Sequence, residues 1–176
     1  AVEQTPAEVV FVLPNNKNII LAAEQAKALS KRKLHIIPSR NIPQGLAAML
    51  AFNPEDTVTA NENNMIEAMQ SVRAGQVTYA VRSTQVDGFD LKEGDIIGIN
   101  SKEIVAKGES VNKVTEQLID RMMDKDTTTI TLYFGNNVTE DEANGIASVI
   151  AEKYPRCDVD TYFGGQPLYY YIVSLE

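Results

Sequence analysis

Two polar stretches carry the residue types suited to recognition chemistry. They are Pro14-Asn15-Asn16-Lys17-Asn18, and the segment from Ile37 to Gly45 that holds Ser39, Arg40, Asn41 and Gln44. Each follows an apolar run and precedes a helical pattern. A strand, a short loop and a helix N-terminus form an anion-binding geometry, because backbone N–H groups converge there and the helix dipole favours negative charge. Lys17 adds a cation, and Asn16 and Asn18 can donate amide hydrogens. Two readings of the first loop stay open. Asn18 caps the helix while Asn15 and Asn16 supply turn conformations, or these amides and Lys17 meet a partner or ligand. The loop has no glycine, so it is neither a G-x-x-x-x-G-K-[ST] phosphate loop nor a G-x-G-x-x-G dinucleotide turn. The second loop is the matching one after the next strand. Ligands and partners meet parallel sheets at such strand-end loops.

Other reactive residue types point to structure. His35 is the only histidine and sits inside an apolar run, which reads as a core or sheet-face position. It leaves no second imidazole for a zinc site. Cys157 is the only cysteine, so no intrachain disulfide forms, and a reducing cytoplasmic setting is expected. Glu140-Asp141-Glu142 fits the first turn of a helix better than a metal site. No Ser-His-Asp order is evident. Tyr169, Tyr170 and Tyr171 read either as amphipathic sheet residues or as interface anchors.

The 176 residues carry a formal net charge of -8 and are 44% hydrophobic. That charge repels phosphate backbones and argues against nucleic acid as a partner. No apolar run approaches the about 20 residues of a membrane span. The N-terminal AVEQTPAEVV has neither the basic nor the apolar region of a signal peptide. Its lack of a starting methionine suggests a processed or excised fragment.

The elements that must position the two loops follow from periodicity. Val9 to Leu13 and Leu34 to Pro38 read as buried strands. Ile19, Ala22, Ala23, Ala26 and Leu29 recur at helical spacing between them, and Pro43 opens another helix. This order implies a right-handed crossover and a parallel pair, so both loops face the same way. Thr59 and Glu62 suggest a capping box for a helix that stops at Gly75. From Gln76 the period changes to two. Asp87-Gly88 and Glu93-Gly94 mark turns, and a hairpin is expected around Asn100-Ser101. Ser110 caps a helix with Val111, Val114, Leu118 and Met122 on its apolar face. Thr139 and Glu142 make a second capping box. Gly164-Gly165 suggests an antiparallel pairing of the two strands that flank it.

Four stretches in order, LPNNKNIILAAEQA, IPSRNIPQGLAAML, GQVTYAVRSTQVDG and GGQPLYYYIVSLE, resemble the C-terminal region of the bacterial fatty acid kinase ATP-binding subunit. That protein is dihydroxyacetone-kinase-like and DegV-related, and the resemblance runs from Val9 to Glu176. It implies a parent with an N-terminal kinase domain that binds ATP and magnesium, a middle domain and this region. The kinase phosphorylates the carboxylate of a fatty acid held by a separate DegV-like subunit, for phospholipid synthesis. The role implied for this region is docking of that subunit.

The expected fold is α/β in two lobes: a small parallel lobe with its linking helix over residues 1–75, and a mixed, mostly antiparallel sheet of about six strands with two helices over residues 76–176. A two-stranded parallel lobe is thin, so upstream strands are expected outside this chain, and an exposed edge would invite a homodimer. The expected role is a non-catalytic docking module, with no cofactor or metal of its own. Asn15, Asn16, Lys17, Ser39, Arg40 and Gln44 are the expected contacts, with Arg82 a further candidate. The alternative is a DegV-like lipid or small-molecule binder in which Ser39 grips a carboxylate.

Overall fold

Val9–Val12 (β1) has no polar residue because both of its faces are covered. Val10 and Val12 join Ala23, Leu34 and Ile36 on one side. Phe11 and Leu13 join Ile37, Ala48, Met65 and Met69 on the other. All four residues are half-buried, and a strand with packing on both faces reads as a continuous apolar run. The structure is a computed structural model that describes residues 2–101 and 103–176. The chain divides into two compact units, Ala1–Val72 and Arg73–Glu176.

In the first unit β1 continues into helix α1 (Lys17–Leu29), strand β2 (Lys33–Ile36), and helices α2 (Ile42–Leu50) and α3 (Val58–Ser71). β1 and β2 pair in parallel, from Val9 opposite Lys33 to Val12 opposite Ile36. Helix α1 supplies Ala23 to one face of the pair, while α2 and α3 supply Ala48, Met65 and Met69 to the other. Two caps differ from expectation. Asn16, not Asn18, caps α1 and accepts from the Asn18 N–H at 2.9 Å. Thr57, not Thr59, caps α3 and accepts from the Ala60 N–H. Glu62 is therefore no capping partner, and it bonds His35 instead. Asn61 is buried and ties down the turn after α2: its amide accepts from the Asn53 N–H and donates to the Asn53 carbonyl.

The second unit opens with β3 (Arg73–Tyr79). Arg73, Ala74 and Gly75 belong to this strand rather than to the preceding helix. The other elements are β4 (Thr84–Val86), β5 (Phe89–Leu91), β6 (Ile96–Ile99), β7 (Ile104–Gly108), α4 (Val111–Met122), β8 (Thr129–Phe134), α5 (Glu140–Lys153), β9 (Asp158–Phe163) and β10 (Tyr171–Leu175). The main sheet runs β7-β6-β3-β10-β8-β9, and only β8 with β9 is parallel. Helix α5 is their crossover. Both helices pack on one face, where Val77, Leu132, Tyr171 and Val173 meet Leu118 and Ile146. The Met122 and Leu118 side chains of α4 pack directly over Gly75, where a Cβ would lie 2.6 Å from Met122 Sδ and 3.0 Å from Leu118 Cδ2. The expected hairpin across Gly164-Gly165 does not form. β10 lies at the centre between β3 and β8, and β9 is an edge strand paired with β8 alone. Tyr171 is accordingly buried and unavailable as an interface anchor.

Candidate functional site

The parallel pair brings the two polar loops to one rim and then locks them together. Asn15 sits in the left-handed region at φ 53, which asparagine tolerates better than most residues. This turns its backbone N–H toward Ser39 Oγ at 3.1 Å. The Ser39 hydroxyl in return donates to Asn15 Oδ1 at 2.7 Å. A Cβ on Gly45 would lie 2.0 Å from that oxygen, so only glycine lets the start of α2 approach the Asn15 amide this closely. At the head of α2, Asn41 Oδ1 accepts from the Gln44 N–H at 3.0 Å, and Gln44 Oε1 accepts from the Arg40 N–H at 2.9 Å. The Asn41 side chain thus satisfies one of the helix's orphan donors, and Gln44 reaches back past the cap to the Arg40 N–H.

These bonds divide the expected contact residues. Ser39 is fully buried with its hydroxyl engaged, so it builds the rim and does not face a docking surface. Asn15 and Gln44 are half-buried and also serve the loops. Asn16, Lys17 and Arg40 are exposed. Neither Lys17 nor Arg40 has an ion-pair partner among the described residues. Neither α1 nor α2 has an acidic residue in its first turn. Two helix N-termini and these two cations therefore make the rim electropositive on a chain of net charge -8.

His35 lies along β2 with Nδ1 2.9 Å from Glu62 Oε2, and its ring is 5.5 Å from that of Phe11. It joins strand to helix. The Cys157 thiol is half-buried and donates to the Thr127 carbonyl. Among the described residues no group of three or more His, Cys, Asp or Glu side chains is placed to hold a metal ion. Among the described residues no helix is long and apolar enough to cross a membrane.

Arg82 belongs to the second unit. It lies beside a largely apolar groove of about 360 Å³ whose walls include Tyr79, Val81, Leu91, Ile99 and Leu168. The β4–β5 hairpin forms one wall. Sequence reasoning missed this groove, because the hairpin strands are three residues each and only the Asp87-Gly88 turn advertised them.

The fold is that of the DegV proteins. Over 99% of its length the chain superposes on 76% of the DegV family protein Cg2579 from Corynebacterium glutamicum, with a TM-score of 0.68 at 15% identity. It likewise superposes on 74% of the Streptococcus pneumoniae fatty acid kinase (Fak) B3 protein, solved loaded with linoleic acid, with a TM-score of 0.65 at 14% identity. The family is a different one. Residues 1–176 match the model of the FakA-like C-terminal family of fatty acid kinase, and the chain belongs to that family. Protein YloV of Bacillus subtilis is 42% identical over 176 residues, which is 100% of this chain and 32% of that protein. The uncharacterized protein SH1689 of Staphylococcus haemolyticus is 32% identical over 99% of this chain and 32% of its own length. The chain thus spans about a third of the curated relatives it matches.

Proposed function

We propose that this domain is a non-catalytic docking module of a fatty acid kinase. Its partner is a DegV-like subunit that carries a fatty acid, presented for ATP-dependent acyl phosphate formation. ATP and magnesium bind elsewhere in the parent protein. The observation that carries the reading is the Asn15–Ser39 lock, which leaves Lys17 and Arg40 exposed and unpaired on one rim. Charged groups so placed steer an acidic partner and set its orientation. Family membership and the linoleic-acid-loaded Fak B3 neighbour supply the class of partner. A pull-down of purified DegV-like subunit on the immobilised chain tests the reading: retention is expected, and absence of retention in low salt overturns it.

A second reading rests on the apolar groove beside Arg82. An acyl chain fits such walls, with Arg82 at the carboxylate. Ser39 plays no part in it, since its hydroxyl is already engaged. A fatty acid that co-purifies with the chain, seen by mass spectrometry, favours this reading; a chain free of lipid favours docking.

A further inference from the structure

Helix α2 is packed inside out. Its small residues face inward: Gly45 and Ala48 are buried, together with Pro43. Its large residues face solvent: Ile42 is 48% exposed, Met49 60% and Leu50 86%. Leu46 is half-buried beside them. The spacing i, i+4, i+7, i+8 sets these four along one stripe. A surface helix ordinarily turns such a stripe toward the core, so a helix that turns it outward has a partner to cover it.

The charges at the ends of the stripe identify the partner. Arg40, exposed and without an ion-pair partner among the described residues, stands just ahead of Ile42. Glu55 and Asp56, exposed and likewise unpaired, follow the far end. The helix has no acidic residue in its first turn and no basic one in its last. The stripe is basic at one end, apolar in the middle and acidic at the other. Turned end for end, it is complementary to itself.

We propose that this stripe pairs with the same stripe of a second copy of the chain, α2 against α2 and antiparallel about a two-fold axis. An isologous contact of this kind matches residue to residue in both directions. Ile42 meets the other copy's Leu50, the two Leu46 side chains sit near the axis, and each Arg40 faces the other copy's Glu55 and Asp56. A nine-residue helix spans only about 13 Å. The contact falls below a standard interface, so the dimer is weak and concentration-dependent. The proposal does not rest on the docking reading, but both use Arg40, so the second copy and the DegV-like subunit compete for that side chain.

Sedimentation velocity of the full chain across the micromolar range tests it. The wild-type mass is expected to climb toward the dimer with concentration. Leu50→Glu is expected to raise the dimer Kd at least about tenfold with an unchanged circular dichroism spectrum. Arg40→Glu weakens the dimer, and adding Glu55→Arg with Asp56→Arg to it restores the dimer. A wild-type chain that stays monomeric overturns the proposal, as does a dimer indifferent to Leu50→Glu. Failure of the triple charge reversal to recover the dimer overturns the antiparallel arrangement. Loss of DegV-like subunit binding by Leu50→Glu in a monomeric chain also overturns it, and gives the stripe to that subunit.

Discussion

Asn15 and Ser39, 24 residues apart in the chain, hold each other through both a backbone and a side-chain hydrogen bond. Ser39→Ala removes the acceptor of the Asn15 N–H and the donor to its amide oxygen in one step. An unsatisfied group in this half-buried loop is expected to cost about 1–3 kcal/mol, read as a lower urea midpoint with an unchanged slope. The same variant should weaken DegV-like subunit binding through the displaced loop. A midpoint within error of wild type would show that the two loops stay together without this pair.

Tyr171 makes the opposite case. Its side chain is fully buried and its hydroxyl has no hydrogen-bond partner among the described residues. Burial, with the nearby Glu142 carboxylate adding to it, pushes the phenol up to about 12. Tyr171→Phe keeps the ring and removes the orphaned oxygen, so stability should be unchanged or higher by up to about 1 kcal/mol. Thermal denaturation checks it, and a clear loss would mean that the hydroxyl is satisfied, for example by a buried water.

The capping box of α5 predicts an acid-sensitive element. The Thr139 N–H at 2.8 Å and the Thr139 hydroxyl hold the Glu142 carboxylate below its ordinary value. A depressed carboxylate stabilises the fold above its unfolded-state pKa, near 4.5, and that contribution is lost as the pH falls through the lower folded value. Glu142→Gln keeps a capping side chain but cannot titrate. Melting temperatures from neutral pH down to pH about 3 should therefore fall less steeply for the variant than for wild type in the acid limb. Parallel curves would remove Glu142 from the account.

Much of this was legible in the sequence because it is local. The continuous apolar run of β1, the Ser110 cap and the Thr139–Glu142 box each lie within one element and its flanks. The parallel β1–β2 pair followed from the crossover rule, and with it the shared rim. What failed depended on distant partners or on one dihedral. Asn18 resembles a cap until Asn15 takes φ 53, which starts the helix two residues earlier. Thr59-x-x-Glu62 resembles a capping box until His35 claims the carboxylate. Gly164-Gly165 resembles a hairpin turn, yet β10 gains two neighbours at the sheet centre, where β9 would have offered one. Within the rim, residue type marked Ser39 as polar and reactive, while its burial was set by a loop 24 residues away. The outward stripe on α2 was hidden because its spacing is that of an ordinary inward face.

The central claim is that Lys17 and Arg40, held on one rim, recognise a fatty-acid-carrying DegV-like subunit. The most direct measurement is calorimetric titration of that subunit, loaded with fatty acid, into the wild-type chain and into Lys17→Glu/Arg40→Glu at two salt concentrations. Both side chains are exposed, so the variant should fold as wild type does. The account predicts binding to wild type that weakens with salt, and a loss of at least about tenfold in the variant. Equal affinity of the two proteins, insensitive to salt, would contradict it.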